Sequence, residues 1–404
     1  MAVKHTFSYT NITTKVLTMN SSPSRRHTLV ALTAAALASA LLTGCDNPPD
    51  TIKIGVAQPL SGNLAALGQD LHNGVKMAVD ELNKEGFQIK GKTVKIEIVA
   101  MDDRSDPKTG VEVAQQLVDA GVVAVIGNLN SGVSIPAAPV YAAKNIPQLA
   151  ISTNPKFTEL GLATTFRLVA NDNLQARAIG SFAANQLSAN KFAVVDDGTT
   201  YGKGLATGAV AELKKASKQV VVTYSSDDKT TKFDELADKI KAGGVEVVVS
   251  TQGDFQILAL IEALKKIDYN QQISILGGDT IKTTDMLKGS DTVKGIYATS
   301  PILDAKEFVN GKAFLSKYQD TFKKEPAYGG HYTYDAMYIL AGAMRRANSV
   351  KPEKITETLR TFDGYAPITG SMKWDAVGEQ RYGVVGVYSI RKGVWDLQLR
   401  SDRW

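Results

Sequence analysis

The sequence has one cysteine and four histidines among its 404 residues, and this scarcity excludes several kinds of chemistry. A single cysteine, Cys45, cannot form a disulfide within the chain. Beyond the first 44 residues the only histidines are His72 and His331, and neither lies in the strand-turn-helix pattern of a nucleophile elbow. We therefore do not expect an enzyme that relies on a cysteine or histidine.

Signatures of nucleotide, metal and nucleic-acid binding are also missing. The chain has no GxxxxGK[ST] phosphate loop, and the Tyr-Gly-Lys-Gly turn at 201–204 has Thr207 where a dinucleotide fingerprint needs its third glycine. The acidic pairs at 102–103 and 196–197 are typical of solvated or capping residues at strand ends. Residues 1–44 carry four of the 46 Lys and Arg residues and none of the 41 acidic ones, so the rest is nearly neutral and has no basic stripe. We expect no cofactor, metal or nucleic-acid partner.

The N-terminal region has the order of a bacterial export signal. Arg25 and Arg26 precede an uncharged apolar run at 29–42. This run of about 14 residues is shorter than the roughly 20 that a helix needs to cross a bilayer. Small residues then lead to Cys45, which resembles the lipobox of lipoprotein precursors. A plain secretory leader with a chance cysteine is the alternative.

This pattern predicts how the N-terminus is processed. We expect residues 1–44 to be a lipoprotein signal peptide, Cys45 to be lipidated, and residues 45–50 to form a lipid-anchored tether. Two or more acyl chains make such anchoring stable. Asp46 after the cysteine resembles the retention signal of inner-membrane lipoproteins in Gram-negative cells. The expected location is therefore periplasmic, with a lipid anchor in the inner membrane.

Beyond the tether, apolar runs of strand length alternate with helical patterns in two blocks. The predicted strands are 51–57, 93–100, 122–127 and 147–151 in the first block, and 191–196, 219–224, 245–250 and 273–276 in the second. Helical patterns cover 203–217, 232–242, 255–267 and most of 305–361, and strand patterns return at 369–374 and 383–396. The alternation predicts an α/β fold of two doubly wound, Rossmann-like lobes. Since no flexible linker separates the blocks, we expect a hinge of several chain segments.

Small polar residues follow the predicted strand ends of the first block. Asn130 and Ser131 come after the strand that ends at Gly127, and Thr153 follows the next strand. Free N–H groups at a helix N-terminus attract anions, and a hydroxyl beside them donates a further hydrogen bond. Ligands of open α/β sheets bind at this edge, so the pattern predicts a carboxylate site. Ordinary helix capping is the alternative for each turn alone.

An acidic residue follows a strand end in the second block. Asp279 comes directly after Gly277 and Gly278, whose lack of side chains lets a ligand approach the backbone. Its carboxylate is suited to pairing with an ammonium group. A helix cap for the following segment is the alternative for this residue.

The order and spacing of these and other motifs resemble the type I periplasmic binding proteins, specifically the leucine/isoleucine/valine-binding subfamily. The resemblance spans nearly the whole chain after the leader. Its motifs are Gln-Pro-Leu-Ser-Gly at 58–62, the stretch ALGQDLHNGVKMAVDE at 66–81, the acids at 102–103 and 106, Val-Ile-Gly at 125–127, the turn at 152–155, Tyr-Gly-Lys-Gly at 201–204 and Tyr-Asp-Ala at 334–336.

The resemblance implies roles for particular residues. Ser131 and Thr153 would hold the α-carboxylate of an amino acid, while the carbonyl of Ile151 and the acid of Asp279 would hold its ammonium group. Tyr201 matches a tyrosine that closes over the ligand.

Leu129, Asn130, Leu67 and Gln252 complete the expected pocket. Leu67 and Gln252 replace aromatic residues of the subfamily, and Asp279 replaces a longer glutamate. These departures leave the identity of the bound amino acid open.

The expected function follows from the same resemblance. The protein would be a monomeric solute-binding protein that delivers an amino acid to the permease and ATPase subunits of an ABC importer, with lobe 1 at 51–168 and 301–379 and lobe 2 at 169–300 and 380–404. A sensor for amides, urea or aromatic acids is the first alternative. A hydrolase that uses Asp279 and Tyr201 is the second, disfavoured because no activated nucleophile is present.

Overall fold

The computed structural model describes residues 47–403. The predicted signal peptide at 1–44 and the lipidation site Cys45 lie outside the described residues. The strands are β1 (Thr51–Gln58), β2 (Gln88–Ile89), β3 (Lys92–Thr93), β4 (Lys95–Asp102), β5 (Ala124–Gly127), β6 (Gln148–Ala150), β7 (Thr165–Arg167), β8 (Lys191–Asp196), β9 (Gln219–Ser225), β10 (Val247–Ser250), β11 (Ser274–Gly277), β12 (Gly295–Ser300), β13 (Gly364–Ala366), β14 (Gly370–Met372), β15 (Gly386–Arg391) and β16 (Val394–Arg400).

The α-helices alternate with these strands along most of the chain. They are α1 (Ala65–Glu85), α2 (Pro107–Asp119), α3 (Ser131–Ala142), α4 (Lys156–Glu159), α5 (Asp172–Asn185), α6 (Thr200–Lys215), α7 (Asp234–Gly243), α8 (Asp254–Lys266), α9 (Gly311–Phe322), α10 (Gly330–Ala347) and α11 (Pro352–Thr361). Within residues 47–403 no helix is long and apolar enough to span a membrane.

The first sheet and the helices on both of its faces form lobe 1. Its five strands are all parallel and lie in the order β4-β1-β5-β6-β7. Ile126 of β5 packs with Leu71 of α1 and Met337 of α10, while its neighbour Val125 packs on the other face with Leu117 of α2. Successive side chains of a strand point to opposite faces, so a strand between two helical layers is apolar throughout.

The second sheet forms lobe 2 in the same way. Its strands lie in the order β16-β15-β12-β11-β10-β8-β9, parallel from β9 to β12 and antiparallel at β15 and β16. Val248 of β10 packs with Leu260 of α8, and Val249 packs on the opposite face with Ile179 of α5 and Leu205 of α6. The predicted α/β fold of two doubly wound lobes is confirmed.

The chain passes between the lobes more than once. It leaves lobe 1 after β7, returns after β12 to add α9, α10 and α11, and crosses again after β14. Several chain segments therefore form the hinge, as expected. The strand predicted at 383–396 is instead the hairpin of β15 and β16, because Lys392 and Gly393 adopt positive φ angles of 51° and 73° that turn the chain.

Candidate ligand-binding cleft

Loops at the carboxyl ends of the parallel strands of both sheets enclose a cleft of about 750 Å³. A cavity of this size is suited to a small molecule. The residues predicted from the sequence that line it are Leu67, Leu129, Asn130, Ser131, Ile151, Thr153, Tyr201 and Asp279. The structure thus brings together residues that are up to about two hundred positions apart, because parallel strands end at the same edge of a sheet.

Hydrogen-bond donors converge at the start of α3. Ser131 is 2% exposed, and its hydroxyl oxygen accepts the backbone N–H of Asn154 at 3.1 Å, which leaves the hydroxyl proton for a ligand oxygen. The N–H groups of Ser131 and Gly132 have no acceptor within the helix because they belong to its first turn. Together with the partial positive charge of the helix end, these donors form an anion-binding corner in lobe 1.

Thr153 lies in the loop after β6, and hydrogen bonds from Arg167 and Asp172 fix the backbone of this loop. The Arg167 guanidinium donates to the carbonyl of Ser152 and, at 2.9 Å, to the carbonyl of Asn154. The Thr153 carbonyl accepts the N–H of Asp172 at 2.8 Å. Because the residues on both sides of Thr153 are fixed, its side chain is positioned beside the start of α3.

Asp279 is the acidic group on the lobe 2 side of the cleft. It is 5% exposed, and its Oδ1 accepts from the Tyr201 hydroxyl at 3.0 Å and from Gln175 Nε2 at 3.1 Å. Its Oδ2 accepts from the Tyr328 hydroxyl at 2.5 Å. Burial, followed by the negative field of Asp279, raises the pKa of both tyrosines far above the usual value, so both remain neutral donors.

Hydrogen bonds connect the lobes across the cleft. Tyr328 belongs to lobe 1, because its N–H bonds to Asp70 of α1, and its hydroxyl reaches Asp279 of lobe 2. Asn154 of lobe 1 donates through Nδ2 to the carbonyl of Thr200 at 2.9 Å. A Cβ atom on Gly204 would lie 2.4 Å from this Nδ2, so glycine at that position permits the close approach.

Apolar side chains form another part of the lining. Leu67, Leu129 and Ile151 were predicted from the sequence, and the structure adds Leu64 and the aromatic ring of Phe255. Phe255 comes from the first turn of α8 in lobe 2, whereas the others come from lobe 1. An apolar ligand group can therefore be contacted from both sides.

The structure does not place Gln252 in the cleft lining. Its side chain is fully buried in lobe 2, where Nε2 donates to the Ser226 hydroxyl at 2.8 Å and Oε1 accepts from the Ser250 hydroxyl at 3.3 Å. Its polar atoms are already paired there, so it is not available to a ligand. Ser226 lines the cleft instead.

Among the residues at or behind the cleft that sequence reasoning missed are Asp172, Gln175, Phe255 and Tyr328. Asp172 and Gln175 lie one turn apart at the start of α5, a spacing that could have been noted. Nothing in the local sequence around Tyr328 indicates that it reaches a residue 49 positions away.

Two doubly wound lobes with a ligand-sized cleft between their strand ends define a two-lobed solute-binding protein. The chain belongs to the periplasmic binding protein family, whose model matches residues 51–393. The family is one of exported, periplasmic solute-binding proteins.

Related bacterial proteins align with most of the chain. The Leu/Ile/Val-binding protein homolog 1 of Brucella abortus is 30% identical over 361 residues, which are 89% of this chain and 95% of the relative. An amino acid binding protein of Pseudomonas aeruginosa is 31% identical over 350 residues, 85% of this chain and 90% of that protein. The crystal structure of the leucine binding protein LivK from Thermotoga maritima has a TM-score of 0.78 and 24% identity, and it covers 87% of this chain and 100% of its own. The predicted resemblance to the leucine/isoleucine/valine-binding subfamily is confirmed.

Proposed function

We propose that this protein captures an amino acid between its lobes and delivers it to an ABC importer. The observation that carries the proposal is the pairing, in one cleft, of the donors at the start of α3 with the carboxylate of Asp279. A zwitterion has one group for each of these two ends. The apolar surface of Leu67, Leu129 and Phe255 suits a branched-chain side chain, in agreement with the names of the relatives.

Each end of the ligand has its own set of partners in this proposal. Ser131 and Thr153 donate to the α-carboxylate, and the carbonyl of Ile151 and the carboxylate of Asp279 accept from the ammonium group, while Tyr201 covers the ligand. Hydrogen bonds to charged groups contribute about 1.5–3 kcal/mol each. A few of them approach the ~8 kcal/mol of micromolar binding. A ligand that bridges both lobes in this way stabilises the closed state.

The proposed assembly extends beyond the cleft. Lobe 1 comprises 51–168 and 301–379, and lobe 2 comprises 169–300 and 380–404. The mature protein is a monomer that docks on the permease and ATPase subunits of the importer. It stays at the inner membrane through lipid on Cys45, with residues 45–50 as the tether.

Replacing the lipidated residue tests the anchor. The Cys45→Ser protein is expected to lose membrane association, because no acyl chains are attached and the mature part is close to neutral. Fractionation of cells that express the full chain, followed by immunoblotting, measures this. Equal membrane retention of the two proteins would show that Cys45 does not carry the anchor.

A thermal-shift panel of amino acids, amides and aromatic acids, applied to the chain from Asp46 onward, tests the proposed ligand class. At a concentration of 100 times Kd a ligand adds about 2.7 kcal/mol of stability. We expect branched-chain amino acids to give the largest shifts, and Ser131→Ala and Thr153→Ala each to weaken the best ligand by about tenfold, the loss of one charge-assisted hydrogen bond.

The matched control is Ser316→Ala, an exposed position on α9 outside the cleft lining. Its affinity should equal that of the unaltered protein. A panel in which only amides or aromatic acids bind would contradict the amino-acid assignment, and unchanged affinity in both site variants would contradict the placement of the carboxylate.

A further inference from the structure

The first turn of α5 carries a group of buried acceptors that lack a hydrogen bond of normal geometry. Asp172 is 3% exposed, and neither of its carboxylate oxygens makes such a bond among the described residues, although the Thr153 hydroxyl is close enough to lower the pKa of this carboxyl group. The Oε1 atom of the fully buried Gln175 also makes no such bond there. Buried polar atoms are nearly always paired, so this group requires a donor from elsewhere.

The position of this turn connects the two ends of the proposed ligand site. The N–H of Asp172 bonds to the carbonyl of Thr153 in lobe 1, and Gln175 Nε2 bonds to Asp279 in lobe 2. The chain crosses from one lobe to the other just before α5. Asp172 therefore lies behind the cleft, close enough to Asp279 for the charge of Asp279 to raise the pKa of Asp172.

The groups that face Asp172 do not supply a free cation. Arg167 is the nearby basic residue, and its guanidinium is already paired with Glu379 at 3.0 Å. Tyr201 and Tyr328 are neutral. Several titratable or charged groups interact electrostatically with Asp172. They are Arg167 at the end of β7, Tyr201 on α6, Asp279 after β11, Tyr328 before α10 and Glu379 before β15.

Two buried carboxyl groups without a cation of their own cannot both be ionised at low cost. We propose that Asp172 carries a proton in the ligand-free cleft, and that the ammonium group of the ligand, held at Asp279, displaces this proton to solvent. One positive charge enters as one leaves, so the charge of the cleft is conserved. The inference rests on the proposed function, because it requires a ligand that carries an ammonium group.

The titration of Asp172 agrees with this arrangement. Burial raises its pKa to about 8, and the charge of Asp279 adds to the rise, against the lowering effects of Thr153 and Arg167. Asp172 is therefore protonated in the ligand-free protein at neutral pH, and a bound ammonium group lowers its pKa. Between the two values binding releases a proton, so affinity rises with pH up to about 8.

Calorimetry of L-leucine binding in buffers of different ionisation enthalpy measures the released protons directly. At about pH 6.5 we expect close to one proton per bound leucine, and an affinity that increases by up to about tenfold per pH unit. Asp172→Asn should lose both the proton release and the rise in affinity with pH. The matched control Asp285→Asn, at an exposed acid of lobe 2 paired with Lys288, should keep both.

A second measurement does not depend on any ligand. The infrared spectrum of the ligand-free protein at the same pH should contain the carbonyl stretch of a protonated carboxylic acid. The difference spectrum of Asp172→Asn should show the loss of this band from Asp172, while other buried acids with a raised pKa, such as Asp335, keep their own contribution. Leucine binding without proton release, or a difference spectrum without this loss, would overturn the inference and leave the proposed function standing. If leucine does not bind but the band is present and sensitive to Asp172, the proton on Asp172 is supported and the amino-acid assignment fails.

Discussion

Asp279→Asn is expected to weaken amino-acid binding by about a hundredfold, equivalent to about 2.7 kcal/mol. The substitution keeps the size of the side chain but removes the charge that pairs with the ammonium group. Truncating one partner of a buried, hydrogen-bonded charge pair costs about 2–5 kcal/mol, so the estimate lies at the low end of that range. Calorimetry with the best amino acid of the thermal-shift panel measures the change.

Two further variants show whether the loss of affinity comes from the charge of Asp279. Asp285→Asn makes the same chemical change at an exposed position of lobe 2 outside the cleft lining, and it should not alter affinity. Tyr328→Phe leaves the Asp279 carboxylate in place and removes one of its three donors, so its effect should be smaller than tenfold. A loss below tenfold for Asp279→Asn itself would place the ammonium group elsewhere.

The fold could be predicted from the sequence because its signal is local. A parallel strand covered on both faces is a short apolar run, such as Val247 to Val249 in β10, and the helices between such strands repeat at helical spacing. Strands with weaker signals were missed. β7 is three residues long and ends in the charged Arg167, and the prediction merged β15 with β16 across the turn at Lys392.

The candidate site was predicted where topology alone brings residues together. Ser131 and Thr153 each follow a strand end of the first sheet, and Asp279 follows a strand end of the second. A fold of two doubly wound lobes therefore places them at the two sheet edges that enclose the cleft. Gln252 follows the end of β10 in the same way, yet its side chain turns into lobe 2 and bonds to Ser226 and Ser250. The sequence therefore identifies which loops border the cleft. Whether a side chain of such a loop faces the cleft depends on the hydrogen-bond partners that it can reach inside its own lobe.

The residues behind the site could not be predicted for a different reason. Tyr328 reaches Asp279 from the other lobe, and Asp172 lies near Asp279 although 107 residues separate them in the sequence. The contact of Tyr328 depends on how one lobe closes against the other, and the proximity of Asp172 to Asp279 depends on tertiary packing within lobe 2; no local pattern records either. The hydrogen bond of Tyr328 therefore links closure of the lobes to the acid proposed to hold the ammonium group.

Arg167 connects the stability of lobe 1 to the same site, and Arg167→Met is expected to destabilise the protein by about 3–5 kcal/mol. The guanidinium is fully buried and pairs through two nitrogens with Glu379, at 3.0 Å each. Methionine fills similar space but leaves the Glu379 carboxylate without its cation. The carbonyls of Ser152 and Asn154 each lose the hydrogen bond from Arg167, and the carbonyl of Asn154 keeps only the N–H of Phe157. The melting temperature should fall by about 10 °C in a circular dichroism melt.

The same variant should weaken ligand binding by about tenfold, measured well below its melting temperature, because the loop that carries Thr153 is released. Arg177→Met, an exposed arginine on α5, is the matched control and should change neither quantity. Adding Glu379→Met to Arg167→Met should restore part of the stability, since no unpaired charge remains. It should not restore the affinity, since both carbonyls still lack the hydrogen bond from Arg167. A double variant that regains affinity would show that the loop is held by packing and not by the hydrogen bonds of Arg167.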